Sequence, residues 1–162
     1  MRVFGIAGFK NAGKTTLVVE LLRELKRRGL KLATVKHAHH DFDIDKPGKD
    51  SYQHREAGAS EVIIASARRW AHIKELVDEP EPELGDLLQQ FGAVDLVLVE
   101  GYKHGDHPKL EVRRADQDAP YLYISQPEVR AIVCDGPLVD VSVPVLPRAD
   151  VPAIADFILE QV

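Results

Sequence analysis

The sequence predicts an α/β protein with three layers, in which a mainly parallel sheet carries helices on both faces. Short apolar runs rich in branched residues alternate with segments that repeat leucine at helical spacing. This alternation is typical of parallel strands joined by helices that cover the sheet. The 162 residues contain no repeat of fixed period and no low-complexity linker, so we expect a single domain spanning residues 1–162.

The strand assignments rest on apolar runs of strand length bounded by polar or glycine-containing segments. Strands are predicted at 2–7, 31–36, 61–65, 94–99, 130–134 and 143–146. Residues 69–76 and 109–113 are ambiguous, and either segment is consistent with an edge strand. Because the carboxyl ends of parallel strands meet at one edge of a sheet, which we call the rim, residues that follow these strands are expected to lie together.

Three segments carry the apolar spacing of amphipathic helices. They are predicted at 16–28, 83–91 and 150–162. The first ends at Gly29, a residue suited to the left-handed position after a helix, and places four leucines on one face, namely Leu17, Leu21, Leu22 and Leu25.

Composition limits the classes of partner. The formal net charge of −5 argues against a broad nucleic-acid surface, which needs clustered positive charge. The apolar run at 3–8 is too short for a membrane span or a secretion signal. The lone cysteine, Cys134, cannot form an internal disulfide. We therefore expect a cytoplasmic protein that binds neither nucleic acid nor membrane.

The loop between the first predicted strand and the first predicted helix fits the pattern G-x-x-x-x-G-K-[ST] at Gly8, Gly13, Lys14 and Thr15. Its glycines let backbone amides surround phosphates, and the helix that follows offers its unpaired amides and positive dipole end. This pattern predicts a P-loop nucleoside triphosphatase domain, and an ordinary glycine-rich turn is the alternative. The expected nucleotide-binding residues are Gly8, Lys10, Asn11, Ala12, Gly13, Lys14, Thr15 and Thr16, of which Lys10 is equally consistent with a solvated charge.

A carboxylate is expected on the magnesium side of the bound phosphates. The strand predicted at 94–99 is bracketed by Asp95 and Glu100. Asp95 lies at the far end, about 16 Å away at strand rise, so Glu100 is the better candidate and a plain strand-end charge is the alternative. Thr15 and Glu100 are the expected magnesium-side residues, while Lys14 and Glu100 are the candidate catalytic side chains.

Other charged and imidazole side chains are expected at the same rim, where they suggest an anionic ligand larger than a triphosphate or a solvated surface. The second strand would deliver Lys36, His37, His39, His40 and Asp41. The strand at 61–65 would deliver Ser66, Arg68 and Arg69, and the strand at 94–99 would deliver Tyr102, Lys103 and His104. Asp135 follows the strand at 130–134. The three clustered histidines lack the cysteine pair or helical spacing of a structural zinc site, so contact with a substrate or partner is the favoured interpretation.

Four segments of the chain resemble the molybdopterin-guanine dinucleotide biosynthesis protein B (MobB) family. They are GFKNAGKTTL, VKHAHHDFDIDKPGKDSYQHREAGA, ASARRW and DLVLVEGYKH. The resemblance implies a homodimeric GTP-binding protein with weak magnesium-dependent GTPase activity. It also implies an accessory role beside the molybdenum cofactor guanylyltransferase that joins GMP to molybdopterin, with molybdopterin itself as a further partner.

The resemblance also assigns residues by position. Residues 11–16 would contact the phosphates, and Thr15 and Glu100 would serve magnesium. The block at 37–55 would form a family-specific surface near the nucleotide. The substrate or partner residues expected from the rim and this block are His37, His39, His40, Asp41, Asp45, Lys46, Lys49, Arg55, Arg69 and Lys103.

The nucleotide base and the functional class stay open at the level of sequence. The chain has no N-K-x-D guanine motif, and Asp135 is the carboxylate placed to accept from guanine. A small-molecule kinase is the alternative function, because Arg55, Arg68 and Arg69 could act as lid arginines.

Overall fold

The computed structural model describes residues 1–38 and 42–162. The chain forms two compact units, the first made of residues 1–37 and 84–162 and the second of residues 38–83. The expected single domain stays a prediction. Within the described residues, no helix is both long and apolar enough to cross a membrane.

The strands and helices found in the described residues follow the predicted order closely. The strands are β1 (Arg2–Ala7), β2 (Leu32–Lys36), β3 (Glu61–Ala65), β4 (Trp70–Lys74), β5 (Leu96–Glu100), β6 (Lys109–Arg113), β7 (Val129–Cys134) and β8 (Val145–Pro147). The helices are α1 (Lys14–Arg27), α2 (Asp50–Glu56), α3 (Leu84–Leu88) and α4 (Val151–Glu160), with a short 3-10 helix at Leu122–Ile124.

A parallel sheet forms the centre of the first unit. Its order is β2-β5-β1-β6-β7-β8, and each neighbouring pair is parallel. The prediction of a mainly parallel sheet is confirmed. The edge-strand interpretation of residues 109–113 is wrong, because β6 lies between β1 and β7 and all of its side chains are buried.

Helices cover both faces of this sheet, which confirms the predicted three layers. On one face, Phe4 and Ile6 of β1 pack with the leucine stripe of α1 and with Ile154 and Ile158 of α4. On the other face, Val97 and Val99 of β5 pack with leucines from α3. α1 ends before Gly29, whose φ of +87° is the left-handed conformation expected there.

β6 carries charged side chains into the core. Glu111 accepts from the Arg113 guanidinium at 3.1 Å and from the Leu122 backbone N–H at 2.8 Å. Arg113 donates to the carbonyls of Gln117 and Ala119, and its guanidinium lies 4.0 Å from the centroid of the Tyr121 ring. A buried charge is tolerated when it is paired and hydrogen-bonded, so these contacts fix the segment after β6 against the sheet.

The second unit contains the antiparallel hairpin of β3 and β4, paired from Glu61–Lys74 to Ala65–Trp70. Ser66 closes its turn, since its hydroxyl accepts from the backbone N–H groups of Arg68 and Arg69. β3 is not a strand of the parallel sheet. The expectation that β3 delivers Ser66, Arg68 and Arg69 as a strand of that sheet is therefore wrong, and the substrate or partner role of Arg69 stays a prediction.

Helix α2 was not predicted. The helix is only seven residues long, and none of its side chains is buried, so its sequence has no apolar stripe to indicate a helix. It also follows Pro47 and Gly48, which disfavour a continuous helix. The structure begins the helix at Asp50, after the extended residue Lys49, so the proline and glycine precede the helix without interrupting it.

Candidate functional site

The glycine-rich loop at 8–16 joins β1 to α1 at the rim of the parallel sheet. Gly8 has φ of +147°, and a Cβ there would lie 2.3 Å from the Val112 carbonyl oxygen on β6. Gly13 has φ of +89° and occupies the N-cap of α1, where it offers no side chain to the first amides of the helix. The two glycines thus allow a conformation and an approach that a larger residue would disturb.

Lys14 begins α1, and its ammonium lies back over the loop. Nζ donates to the Phe9 carbonyl oxygen at 2.8 Å. Burial lowers the pKa of Lys14, Glu100 opposes that shift, and the nearby cations Lys103 and Lys36 add to it. A second negative charge beside this ammonium would therefore relieve repulsion among the lysines.

Thr15, in the first turn of α1, contacts Glu100 at the end of β5. The Thr15 hydroxyl donates to Glu100 Oε1 at 2.6 Å. Glu100 ends β5, in register with Ile6 of β1 and Lys36 of β2, and it is only 9% exposed. Because β5 and β1 are parallel neighbours, the carboxylate lies at the same edge as the loop.

The remaining loop residues differ in exposure. Ala12 is buried and packs in the core beneath the loop, whereas Lys10, Asn11 and Thr16 are exposed. Asn11 has φ of +63°, a left-handed conformation that asparagine adopts more readily than most residues. The loop therefore leaves several polar groups open to a ligand.

Lys103 contacts the loop through its side chain. Its ammonium is 4.6 Å from the centroid of the Phe9 ring. Lys36, at the end of β2, and Lys103, just after β5, both act on the charge of Lys14. The electrostatic environment of Lys14 thus includes the ammonium groups of Lys36 and Lys103 and the carboxylate of Glu100.

Asp135 follows β7 at the same rim, on the opposite side of β1 from Glu100. Its Oδ1 accepts from the Ala115 backbone N–H at 2.9 Å, which ties the ends of β7 and β6 together. The residue is exposed. One carboxylate oxygen is thereby oriented by the protein, while the side chain remains accessible to solvent.

The histidine cluster is only partly within the described residues. The His37 ring lies 4.7 Å from the Tyr102 ring, centroid to centroid. His39, His40 and Asp41 lie outside the described residues, so their roles stay predictions.

The other expected partner residues belong to the second unit. Asp45, Lys46 and Lys49 line an open groove of about 770 Å³. Its remaining walls come from Ile44, Gly48, residues of α2 and four consecutive residues of β3, namely Val62 to Ala65. Lys46 and Lys49 are exposed, so their ammonium groups are available to an anionic or acidic partner.

Arg55 is engaged within its own unit. Its guanidinium donates to Glu75 at 2.6 Å and to Asp43 at 2.9 Å, and Nε lies 3.6 Å from Asp45. The hydrogen bond to Glu75 is the largest of the effects that raise the pKa of Arg55. These contacts connect α2, the loop before it and the residue after β4, so they give Arg55 a structural role that the sequence did not suggest.

Two residues near the loop were missed by sequence reasoning. Phe9 contacts Lys14 through its carbonyl oxygen and Lys103 through its ring. Lys109 is fully buried in β6 and donates to backbone carbonyls after β5. The alternation of charges in Lys109, Glu111 and Arg113 was the available signal, but it is equally typical of an exposed edge strand.

A parallel sheet with helices on both faces, and a glycine-rich loop between its central strand and the following helix, defines an α/β protein of P-loop-like fold. The family model described as molybdopterin guanine dinucleotide synthesis protein B matches residues 3–135. The chain belongs to this family, MobB.

Relatives and solved structures agree with that assignment. The molybdopterin-guanine dinucleotide biosynthesis adapter protein of Escherichia coli K12 is 40% identical over 161 residues, which cover 98% of this chain and 91% of the relative. The adapter protein of the same description from Haemophilus influenzae is also 40% identical, over 96% of this chain and 86% of its own. The crystal structure of Bacillus subtilis MobB is 25% identical with a TM-score of 0.78, covering 100% of this chain and 98% of its own. The crystal structure of a MobB homolog from Bacillus stearothermophilus is 26% identical with a TM-score of 0.73, covering 99% of this chain and 100% of its own.

Proposed function

We propose that this chain is a GTP-binding adapter protein that assists the conversion of molybdopterin to molybdopterin guanine dinucleotide. Family membership supports the adapter role in molybdenum cofactor biosynthesis. The observation that carries nucleotide binding is the 2.6 Å hydrogen bond between Thr15 and Glu100, beside a loop that holds Lys14. A hydroxyl and a carboxylate in that position are the protein groups expected beside nucleotide phosphates.

The same pair fits Mg²⁺. Magnesium prefers oxygen ligands and takes few of them from protein, which matches the Thr15 hydroxyl and the Glu100 carboxylate. When bound, the ion would neutralise phosphate charge. We therefore propose Thr15 and Glu100, together with nucleotide phosphate, as the magnesium-side residues.

GTP hydrolysis at this site would be weak. Lys14 would place an ammonium against the phosphates, and Glu100 would hold the Thr15 hydroxyl in position. These groups bind and orient the nucleotide, whereas rapid hydrolysis also requires a residue that orients the attacking water, a role we do not propose for Lys14 or Glu100. We therefore propose nucleotide binding as the main activity of the site and hydrolysis as a slow one.

Asp135 is our proposed contact for the guanine base. It lies at the end of β7, two strands from β1, and hence about 10 Å across the sheet from the loop. That separation leaves room for the sugar between the phosphates and the base. A carboxylate can accept from both N1–H and N2–H of guanine, whereas adenine presents no such pair of donors.

We also propose that the protein is a homodimer and that its partners are the molybdenum cofactor guanylyltransferase and molybdopterin. The β3–β4 hairpin exposes Ile63 and Trp70, at 65% and 68% of their surfaces. An isolated two-stranded sheet is marginally stable in water, and a second copy would cover these apolar side chains. The exposed Lys46 and Lys49 are the proposed contacts for the anionic pterin or an acidic partner surface.

The kinase alternative depends on Arg55, Arg68 and Arg69 as lid arginines. Arg55 is held by carboxylates of its own unit, and Arg68 and Arg69 belong to the turn of the hairpin. We therefore retain the adapter proposal alone.

The test of nucleotide binding is Lys14→Ala. We expect the variant to keep its fold, because Lys14 is only half-buried at the first position of α1, and to lose detectable GTP binding in calorimetry. Lys26→Ala, an exposed lysine in the last turn of the same helix, is the matched control and should bind GTP as the unmodified protein does. Equal GTP affinity in the two variants would contradict the proposal. Formation of molybdopterin guanine dinucleotide by a purified guanylyltransferase, measured with and without each variant, reports the adapter role separately.

A further inference from the structure

The segment that follows Glu100 crosses β1 on its way to β6. Residues 101–108 connect β5 to β6, and β1 lies between those strands. The segment lies directly on β1, since a Cβ at Gly5 would be 2.6 Å from Nε2 of His107. It therefore begins at the magnesium-side carboxylate and passes over the strand that leads into the glycine-rich loop.

The first residues of this segment have a constrained backbone. Gly101 has φ of +99°, and a Cβ there would lie 2.8 Å from the Cβ of His37. Tyr102 has φ of +46°, which is uncommon for a residue with a side chain. The Gly105 N–H donates to the Tyr102 carbonyl at 3.1 Å and closes a turn around Lys103. The direction in which Lys103 leaves the backbone is thereby restricted.

A buried ammonium holds the same turn from below. Lys109 is fully buried, and its Nζ donates to the carbonyls of Lys103, at 3.3 Å, and of Gly105. Burial lowers the pKa of Lys109, and the carboxylates of Glu128 and Asp106 oppose this shift. Burying an ammonium costs free energy unless it is hydrogen-bonded, so the contacts with the two carbonyls hold Lys109 and the turn together.

Lys103 and Lys14 converge on one residue of the loop. The Lys103 ammonium lies over the Phe9 ring at 4.6 Å, and the Lys14 ammonium donates to the Phe9 carbonyl oxygen at 2.8 Å. A cation–ring contact at a partly exposed site is weak, whereas an ammonium bound to phosphate forms a charge-assisted hydrogen bond. An arriving phosphate would therefore compete well for both lysines.

We propose that Lys103 is a second lysine that binds the terminal phosphate of the nucleotide, and that Lys109 is the buried positioning residue that holds the turn carrying it. The proposal rests on nucleotide binding at the glycine-rich loop and assigns a further residue to that site. Lys103 leaves the Phe9 ring when a triphosphate binds. The protein thereby distinguishes GTP from GDP through the segment that crosses β1.

The experiment compares GTP and GDP affinity by calorimetry in the full-length protein with Mg²⁺. Lys103→Met keeps a long apolar side chain that packs on Phe9 and removes only the charge. We expect it to weaken GTP binding by about 10-fold and GDP binding by less than about 3-fold, because one charged contact is lost from the terminal phosphate. Lys103→Arg should keep the preference for GTP, and Lys26→Met, on the exposed end of α1, should change neither affinity.

Lys109 is tested through its dependence on Lys103. Lys109→Met fills the same space with an apolar side chain of similar length and removes the donor to the Lys103 and Gly105 carbonyls. It should reduce the preference for GTP over GDP, and the double variant should lose no more of this preference than Lys103→Met alone. Additive losses would show that Lys109 does not act through Lys103.

The outcomes separate this inference from the function on which it rests. Equal weakening of GTP and GDP binding by Lys103→Met, or no change in either, would overturn the terminal-phosphate assignment while leaving nucleotide binding intact. Failure of the unmodified protein to bind either nucleotide would overturn the proposed function as well.

Discussion

At the scale of single residues, the Thr15–Glu100 contact is the geometry on which the proposed nucleotide site depends most. The short hydrogen bond holds a hydroxyl and a nearly buried carboxylate together at the rim of the sheet. Each would also be a ligand for the same small cation, so the contact is already arranged before phosphate arrives. Preorganisation of this kind lowers the cost of binding.

Thr15→Ala and Glu100→Gln are therefore expected to weaken magnesium-dependent GTP binding by about 10-fold or more, the scale seen when groups that support a metal site are removed. Binding measured in chelator should change less, because Lys14 and the loop amides remain. Thr15→Ser keeps the hydroxyl and is the matched control. Calorimetry with and without Mg²⁺ checks the expectation. If the magnesium dependence of GTP binding is unchanged in both variants, Glu100 is not the magnesium-side carboxylate.

Asp135→Asn tests the proposed base contact. The amide oxygen of asparagine can still accept from the Ala115 N–H, so the link between β6 and β7 should persist. The variant loses the charged acceptor for guanine, and we expect the preference for GTP over ATP to fall by about 1–3 kcal/mol. Competition binding with the two nucleotides measures this preference. Asp118→Asn, an exposed acid after β6, is the control, and an equal preference in both variants would remove Asp135 from the base site.

At the scale of elements, β6 shows that a sequence pattern does not reveal whether a strand lies at the edge or at the centre of a sheet. The alternation of Lys109, Glu111 and Arg113 with apolar residues is the pattern of a strand with one solvated face. In the structure, the segments before and after the strand cover that face instead. Lys109 and Arg113 donate hydrogen bonds to backbone carbonyls of these segments, and Glu111 accepts one from a backbone N–H. Such tertiary hydrogen bonds are not local in sequence, so periodicity could not identify β6 as a central strand.

The segment crossing β1 also predicts a pH dependence. Burial lowers the pKa of His107 to about 4, Lys109 adds to this shift, and Asp106 and Glu128 oppose it. Neither ring nitrogen of His107 has a hydrogen-bond partner among the described residues. Since the unfolded state has the histidine pKa of about 6.5, it binds more protons than the folded state between these two values.

The stability from neutral His107 should therefore be fully present above about pH 6.5 and should be lost as the pH falls towards about 4, by on the order of 1–3 kcal/mol. Glu111 acts in the opposite direction, because burial raises its carboxyl pKa and the folded state then retains a proton. Denaturant unfolding from pH 4 to 7 of the unmodified protein and of His107→Gln isolates the histidine. An identical pH slope in the two proteins would contradict the assignment.

At the scale of the whole molecule, the fold of the first unit was largely predictable, and the arrangement of residues 38–83 was not. The bounds of β1 and β3 were predicted without error, and the glycine-rich loop has the predicted context between strand and helix. The sequence of Glu61–Ala65 does not indicate which strand it pairs with, because an apolar run is consistent with a parallel sheet and with a hairpin. For the same reason Arg55 was assigned to a partner, although Asp43 and Glu75 are both within its reach in the structure.

The exposed apolar surface is concentrated in this second unit. Seven of the twelve exposed large apolar side chains among the described residues belong to residues 38–83, which is less than a third of the chain. Neither β3 nor β4 has a second strand partner in the described part of the chain. Unpaired strand edges and clustered apolar side chains are features of a surface that binds another polypeptide.

A second copy is the occupant we propose, and the final prediction tests it. Ile63→Lys combined with Trp70→Lys places two charges on the hairpin surface and should convert a dimer to a monomer in sedimentation equilibrium. Because Lys14, Thr15 and Glu100 lie in the first unit, the monomer should still bind GTP. Val139→Lys, at a side chain 78% exposed in the first unit, is the matched control and should leave the protein dimeric. A double variant that stays dimeric would exclude the hairpin as the dimer interface, since buried lysines without partners cost too much free energy to be retained at a packed surface.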